Sequence, residues 1–452
     1  MLMTVPNVIA PLVRRHAEDA AFYWSQHDAS AYSPRLTLSG LARFSHLLSA
    51  HLEGVEVAGA QGWEPALAAL DRWKQPGEAF VCAHVALQCG DAVQLDALLE
   101  HVRASPDNLL RGVISALTWV PRAHALDIIR CWTGAGSETI TQVAALRAVA
   151  LIGEQAETTL SQPIAHFMLS LDAHVRAAAC RAAAIFRESC TVEPLLHAAL
   201  RDSELTVRAE AAITLGHRGQ ALATADADAQ ITAAGTLWQC VAAQVNVFNA
   251  ATGWYRKQAM RRLNRWVQQL AWQAPLGHKD LPALLAFVPP RVGLHFVAYH
   301  GDPVHLPYVI STMNDPETAR YAGWVWHAIT GVDMQAAGMA LPEPEPTPDA
   351  PAASEARLDA DLGLPLPHID AIRAYPSASL RHSIRYLLGQ ELTESHALDV
   401  LDASSQALRS IAAQTMMFSY PQGSIAVRGP AQVQMQSCAA MRMALQAREG
   451  QI

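Results

Sequence analysis

The sequence predicts an all-α protein in which helical hairpins stack into a solenoid. Apolar residues recur with the 3.6-residue period of a helix along most of the chain. A helical unit of about 32 residues is repeated, which is typical of solenoids. Turn dipeptides of the Asn-Gly type, which would indicate β-hairpins, do not separate alternating runs. We expect the hairpins to wind into a right-handed superhelix.

The repeats are clearest between residues 77 and 219. The better copies have an acidic residue suited to cap a helix, then an apolar residue followed by arginine, then an alanine-rich helix. Two clear and two weaker copies are Asp172 with Val175-Arg176, Asp202 with Val207-Arg208, Leu110-Arg111, and Val143-Ala144. The second residues of these pairs are 33, 32 and 32 positions apart. This period fits two helices of about 12 residues with two turns, so we predict HEAT-like repeats.

The regularity of the repeat divides the chain into five segments. They are residues 1–75, an atypical N-terminal helical cap; 76–220, HEAT-like repeats; 221–341, an irregular helical region and a further HEAT-like repeat; 342–361, an acidic proline-rich linker; and 362–452, a C-terminal helical repeat region. The linker has six acidic residues against one base, Arg357. Because it cannot bury a core, we expect it to be extended and mobile.

Composition and charge exclude several classes of protein. The formal charge of −8 on 452 residues argues against a general nucleic-acid binder, which needs a basic surface to displace counterions. No apolar run is long enough to predict a membrane span, and the N-terminus lacks the charge order of a secretory signal. Seven scattered cysteines indicate a reduced, cytoplasmic protein.

No segment matches a catalytic or metal-binding motif. The chain lacks His-Glu-x-x-His, a phosphate loop, Gly-x-Ser-x-Gly and Cys-x-x-Cys. Asp226 and Asp228 resemble the start of a calcium loop, but the required glycine and glutamate are missing. His295, His300 and His305 are spaced five apart and so do not share one helix face. We predict no catalytic, cofactor-binding or metal-ligating residues.

One predicted helix, from Trp254 to Trp272, is strongly basic. It carries five bases and no acid, with its apolar residues at helical spacing on the opposite side. Its candidate partner-binding residues are Lys257, Arg261, Arg262 and Arg265. Three interpretations stay open: a solvated outer face, a docking site for the chain's own acidic linker, and a binding site for an external acidic partner.

Tryptophans supply the other candidate binding residues. Trp24, Trp63 and Trp73 lie in the non-repeating N-terminal segment, and we expect them to be exposed anchors, because aromatic residues concentrate binding energy at interfaces. Five others lie in apolar helical patterns and are predicted to be core: Trp119, Trp132, Trp238, Trp324 and Trp326.

A set of segments in fixed order also carries a family resemblance. The segments are residues 16–24, Leu52-Glu53-Gly54 with Val57-Ala58-Gly59 and Gly62-Trp63-Glu64, Gly301-Asp302-Pro303 with His305-Leu306-Pro307, Ile329-Thr330-Gly331-Val332-Asp333, residues 364–367, and Arg385-Tyr386-Leu387-Leu388-Gly389. In this combination the chain resembles an uncharacterised bacterial HEAT-repeat family whose genes often lie in type VI secretion clusters. The resemblance implies the fold and that association, but no activity or catalytic residue.

Together these features predict a non-catalytic scaffold that binds another protein. Our first hypothesis is an adaptor or chaperone for a type VI secretion component or effector, with the second helices of the hairpins as the binding face. The alternatives are an immunity protein that neutralises a cognate toxin, and an enzyme that uses the repeats as a framework. The sequence does not predict an oligomeric state.

Overall fold

The computed structural model describes residues 8–186, 191–219, 232–343, 361–376, 380–419 and 425–449, and these residues form an all-α fold. The only strands in these ranges are two antiparallel pairs of two residues each: β1 (Ala340–Leu341) with β2 (Leu366–Pro367), and β3 (Tyr386–Leu387) with β4 (Gln390–Glu391). Neighbouring helices pack in chain order. The predicted all-α helical-repeat class is therefore confirmed.

The chain forms two compact units. Unit 1 comprises residues 1–219 and 401–452, and unit 2 comprises residues 220–400.

The helices of the first part of unit 1 are α1 Ala10–Ser30, α2 Leu38–Val57, α3 Trp63–Trp73, α4 Pro76–Cys89, α5 Ala92–Ala104, α6 Pro106–Trp119, α7 Arg122–Trp132, α8 Thr139–Ile152, α9 Ile164–Met168, α10 Ala173–Ala182, α11 Val192–Ala199 and α12 Leu205–His217. The helices that follow are α13 Ala233–Ala250, α14 Gly253–Gln273, α15 Leu281–Phe287, α16 Pro290–His300, α17 Leu306–Thr312, α18 Ala319–Thr330, α19 Ile369–Ala374, α20 Glu394–Ala403, α21 Gln406–Ser419 and α22 Ala431–Glu449.

Unit 1 is built on one continuous layer of helices. α4, α6, α8, α10 and α12 each pack on the next, and α3, α5, α7, α9 and α11 each pack on the layer helix that follows in the chain. Packing in the layer is close: a Cβ on Gly112 of α6 would lie 2.3 Å from the carbonyl oxygen of Pro76. Ten residues of α4 are buried.

In the two clear repeats, the repeated arginine ties the hairpin turn to its helix. The Arg176 Nη1 donates to the carbonyls of Ser170 and Leu171, at 2.9 and 3.0 Å. Arg208, one repeat later, donates in the same way to the carbonyls of Asp202 and Ser203. Charged donors suit these carbonyls because the turns leave them without helical partners. This contact explains why the apolar-arginine pair recurs.

The predicted acidic caps differ between the two clear repeats. Asp172 caps α10, since its Oδ1 accepts from the backbone N–H of His174 at 2.8 Å. Asp202 lies too early to cap α12, and Glu204 holds the N-cap position. The Asp202 carboxylate instead pairs bidentately with Arg176 of the preceding repeat, at 2.8 and 3.0 Å. The acidic residue therefore joins neighbouring repeats.

The C-terminal helices pack against the start of unit 1. The backbone N–H of Gln406, at the first residue of α21, donates to the carbonyl of Leu36 at 2.7 Å. Every residue from 406 to 416 is buried, and the Phe418 ring near the other end of α21 lies 5.5 Å from that of His217 in α12. α22 packs on α2, and the backbone N–H of Ala431 donates to the Ser45 hydroxyl.

Unit 2 repeats the layered arrangement on a smaller scale. α14, α16 and α18 pack side by side, and α13, α15 and α17 each pack on the helix that follows them. Among the helices of the described ranges, none is both long and apolar enough to cross a membrane.

The division of the chain differs from the predicted one around the acidic segment. β1 and β2, which flank it, pair with each other through Ala340 with Pro367 and Leu341 with Leu366. Residues on both sides of the segment belong to unit 2, and the boundary falls within α20. Both ends of residues 342–361 therefore belong to one unit, whereas the prediction placed this segment between a body and a C-terminal part. The predicted mobility and docking of residues 344–360 lie outside the described residues.

Candidate interaction surface

Helix α14 carries the predicted basic face, and its N-terminal half is exposed. α14 packs on α13 and α16, and Ala259, Leu263 and Trp266 are among its buried residues. All residues from Thr252 to Lys257 are exposed. The first turn of α14 is therefore in contact with solvent on every side.

The four predicted basic residues differ in exposure. Lys257, Arg261 and Arg262 are exposed, and Arg265 is half-buried. Arg261 and Arg265 each engage in further interactions within the chain. Neither Lys257 nor Arg262 is paired with a carboxylate in the described part of the chain. We refer to the exposed residues at this end of the helix as the α14 surface: Trp254, Tyr255, Arg256, Lys257, Arg261 and Arg262.

Two of the five bases of α14, Arg256 and Lys257, lie near its N-terminus. The N-terminus of a helix carries a partial positive charge, so a base in the first turn costs about 0.3 to 1 kcal/mol at low ionic strength. Contacts with the ring and carbonyl of Phe248 in α13 offset this cost for Arg256, whereas Lys257 is exposed and has no carboxylate partner in the described part of the chain. The exposed charge of Lys257 therefore favours binding of a negatively charged group.

Aromatic side chains lie directly beside these bases. Trp254 is 37% exposed and Tyr255 70% exposed, and their rings meet edge to face at 5.1 Å. The Arg256 guanidinium is held in place, 3.9 Å above the ring of Phe248 and 3.1 Å from its carbonyl oxygen. Apolar rings beside arginines are typical of the centre of protein interfaces.

The opposite end of unit 2 is organised by Arg385. Its Nη1 donates to the carbonyls of Ala271, at 3.1 Å, and His300, at 2.7 Å, and its Nη2 donates to the carbonyl of Trp272, at 2.9 Å. These carbonyls belong to the last turns of α14 and α16, where a positive charge is favourable. Burial lowers the pKa of Arg385 to about 10, so it stays protonated at neutral pH.

The end of α18 lies at the same edge. The backbone N–H groups of Leu388 and Gly389 donate to the carbonyls of Ala328 and Ile329, at 2.6 and 3.0 Å. One short segment thus satisfies the C-terminal carbonyls of three packed helices, which must run parallel. Their N-terminal ends, including the α14 surface, consequently lie at the opposite edge of the layer.

Three of the segments that carry the family resemblance meet at this C-terminal edge. Gly331 ends α18 with a φ of 72°, and a Cβ there would lie 2.4 Å from the carbonyl oxygen of Leu388. Gly301 ends α16 with a φ of 70°, and its Cβ would lie 3.0 Å from the carbonyl oxygen of Tyr386. Only glycine tolerates both the left-handed backbone and this approach. In this structure these residues hold helix ends together.

Two ion pairs mark the N-terminal edge of the layer. Arg291, the second residue of α16, contacts the Asp361 carboxylate bidentately at 2.5 and 2.7 Å. Arg320, the second residue of α18, contacts Glu343 bidentately at 2.7 and 2.9 Å. Parallel arginine–carboxylate bonds of this kind are strong and geometrically specific. α16, which packs on α14, and α18, which packs on α16, therefore each already bind a carboxylate at the N-terminal end.

His300 and His305 form a buried pair of histidines in unit 2. The His300 ring stacks on Phe296 at 5.2 Å and lies 5.1 Å from His305. Burial lowers the pKa of His300 to about 3, and the positive charge of Arg385 acts in the same direction. Burial also lowers the pKa of His305, against the opposing effect of the Asp302 carboxylate. Among the residues the structure describes, no three His, Cys, Asp or Glu side chains are arranged to hold a metal ion.

The three tryptophans predicted to be exposed anchors differ in their exposure. Trp24 is 3% exposed, so the prediction of an exposed anchor is wrong there: its ring stacks on Phe80, and its Nε1 donates to the Ser115 hydroxyl. Trp63 is half-buried, and Trp73 is 50% exposed beneath the guanidinium of Arg72.

Of the five tryptophans predicted to be core, three are buried: Trp132, Trp324 and Trp326. Trp119 and Trp238 are half-buried. Sequence reasoning passed over Trp254 as an exposed anchor, although it directly precedes the basic run.

The fold and this surface define the protein as an all-α helical-repeat protein with an exposed basic and aromatic helix end. The chain matches no protein-family model, no curated protein and no solved structure.

Proposed function

We propose that the protein is a non-catalytic scaffold that binds another protein through the α14 surface. The observation that carries this proposal is the exposure of Lys257 and Arg262, which have no carboxylate partner in the described part of the chain, close to the exposed rings of Trp254 and Tyr255. A partner with negative charge would pair with the two bases, and the rings would supply the apolar contact area.

The partner, in this proposal, is a component or effector of a type VI secretion system, and the protein acts as its adaptor or chaperone in the cytoplasm. The order of segments that resembles the secretion-associated family supports this choice. The repeat architecture also supports it, since stacked hairpins provide long surfaces suited to holding another macromolecule.

The test is affinity purification of the tagged protein from its native cells after cross-linking, followed by mass spectrometry. The variant Lys257→Glu/Arg262→Glu is compared with wild type and with Arg43→Glu/Arg122→Glu, which makes the same charge change at exposed bases outside α14. We expect wild type and control to recover the same secretion component or effector, and the α14 variant to lose it.

Two results would contradict the proposal. Equal recovery by the α14 variant would remove the α14 surface from the interaction. The absence of any protein cross-linked above the untagged background would argue against a scaffold.

A further inference from the structure

We infer that the partner of the α14 surface presents an acidic polypeptide segment, whose carboxylates cross the N-terminal edge of unit 2. This inference rests on the proposed function and names the chemistry of the partner. It follows from what α16 and α18 bind at the same edge.

The two neighbouring helices show which group this edge accepts. Arg291 on α16 and Arg320 on α18 occupy the same position, the second residue of a parallel helix, and each holds a carboxylate through two hydrogen bonds. Asp361 is 4% exposed despite its charge, so its bidentate contact offsets the loss of hydration. Carboxylates of the chain itself are thus the partners of both arginines.

α14 adds two exposed bases, Lys257 and Arg262, that have no carboxylate partner in the described part of the chain. α14 has 21 residues and α16 has 11, and their C-terminal ends are held together by Arg385. At 1.5 Å per residue, the N-terminal end of α14 projects about 15 Å beyond that of α16. This geometry explains why Thr252 to Lys257 are exposed on all sides. A segment that passes over the helix ends would meet Lys257 and Arg262 next.

The spacing suits a polypeptide. Packed helices lie about 8 to 10 Å apart, which an extended chain covers in about three residues. A segment with an acidic residue at every second or third position could therefore place carboxylates beside Lys257 and Arg262 while its intervening side chains contact Trp254 and Tyr255. The chain as a whole is acidic, at −8, which disfavours the continuous phosphate backbone of a nucleic acid.

The experiment measures binding of a fluorescein-labelled peptide of alternating Glu and Ala, about 12 residues long so that it spans the edge, to the full-length protein by fluorescence anisotropy. We expect wild type and Arg43→Glu/Arg122→Glu to bind it with equal affinity, and binding to weaken with added salt. Lys257→Glu/Arg262→Glu should bind roughly tenfold more weakly, because two exposed charge contacts become repulsive. Circular dichroism confirms that the variants keep their helix content.

The remaining outcomes would overturn the inference. Failure of wild type to bind the peptide, or equal binding by the α14 variant, would do so. Tighter binding of an oligothymidylate of equal charge would assign the surface to a nucleic acid.

A further variant replaces Glu345, Asp349, Glu355 and Asp359 by their amides. Stronger peptide binding by this variant than by wild type would mean that the chain's own residues 344–360 compete for the α14 surface. An external segment would then not be the principal occupant of that surface. If no peptide binds but α14-dependent recovery from cells persists, the proposed function stands and only the acidic chemistry of the partner is wrong.

Discussion

The Arg385 guanidinium lies 2.7 Å from the carbonyl oxygen of His300, and this contact joins residues 85 positions apart at the end of α16. Arg385 also lies 4.5 Å over the ring of Trp272. One side chain therefore fixes the C-terminal ends of both α14 and α16.

Replacing Arg385 by Ala should destabilise unit 2 by on the order of 3 kcal/mol, because several buried carbonyls lose a charged donor at once. Arg385→Lys should recover only part of this loss, since one ammonium cannot reach carbonyls on two helices in the same geometry. Urea unfolding followed by tryptophan fluorescence measures the effect. An Arg385→Ala protein with the wild-type midpoint would refute the capping role.

Acid should destabilise the protein well before its carboxylates are protonated. Burial lowers the pKa of His27 to about 4 and that of His300 to about 3, while both titrate near 6.5 in the unfolded chain. The unfolded state therefore binds more protons below pH 6.5, and stability falls as pH drops from about 6.5 towards 4. Each histidine contributes a slope of up to about 1.4 kcal/mol per pH unit.

Urea midpoints at several pH values between 7.5 and 4.5 check this slope. The variant His27→Gln removes one of the titrating groups and should show a shallower dependence. The same pH dependence in both proteins would mean that His27 is not held neutral.

Alanine variants of the buried Trp24 and the exposed Trp73 show how much burial of each ring contributes to stability. Trp24→Ala should cost about 3 to 5 kcal/mol, because the ring fills a buried site against Phe80 and its Nε1 loses Ser115. Trp73→Ala should change the free energy of unfolding by less than about 1 kcal/mol, since half of its side chain is already in water. Thermal unfolding of the two variants distinguishes them, and similar losses would contradict the buried position of Trp24.

Alanine substitutions at Gly331 and Gly338 distinguish the cost of a steric clash from the cost of a left-handed backbone. Both have positive φ, at 72° and 67°, but a Cβ on Gly338 would meet nothing within 4 Å. Gly338→Ala should therefore lower the free energy of unfolding by only about 1 kcal/mol, the cost of placing alanine in the left-handed conformation. Gly331→Ala should cost at least about 2 kcal/mol more, because it pushes the Leu388 carbonyl out of contact. Equal melting temperatures for the two variants would show that the close approach is absent.

Local patterns predicted the repeats well. The recurrence of an apolar residue before Arg176 and Arg208 is visible in sequence because each arginine contacts carbonyls only five or six residues away. The cap at Asp172 is equally local. The contact between Asp202 and Arg176 was missed because it joins neighbouring repeats, where the sequence does not indicate which polar groups face each other.

Long-range contacts account for the remaining differences. Trp24 was predicted to be an interface anchor because the sequence does not show that α1 packs on α4. Glu343 and Asp361 were assigned to a solvated linker because the sequence does not show that they pair with Arg320 and Arg291. The exposure of the α14 surface could be expected from its charge, but its projection beyond α16 depends on Arg385, which lies more than 100 residues further along the chain.

The contact between Ala431 and Ser45 spans 386 residues, which has a consequence for synthesis. At about 5 to 20 residues per second, roughly 20 to 80 seconds separate the emergence of these two residues from the ribosome. Throughout that interval the surface of α2 that later receives α22 is without its covering helix. The first hairpin therefore exposes this surface until synthesis is nearly finished, and a stalled ribosome would leave it as a target for proteolysis.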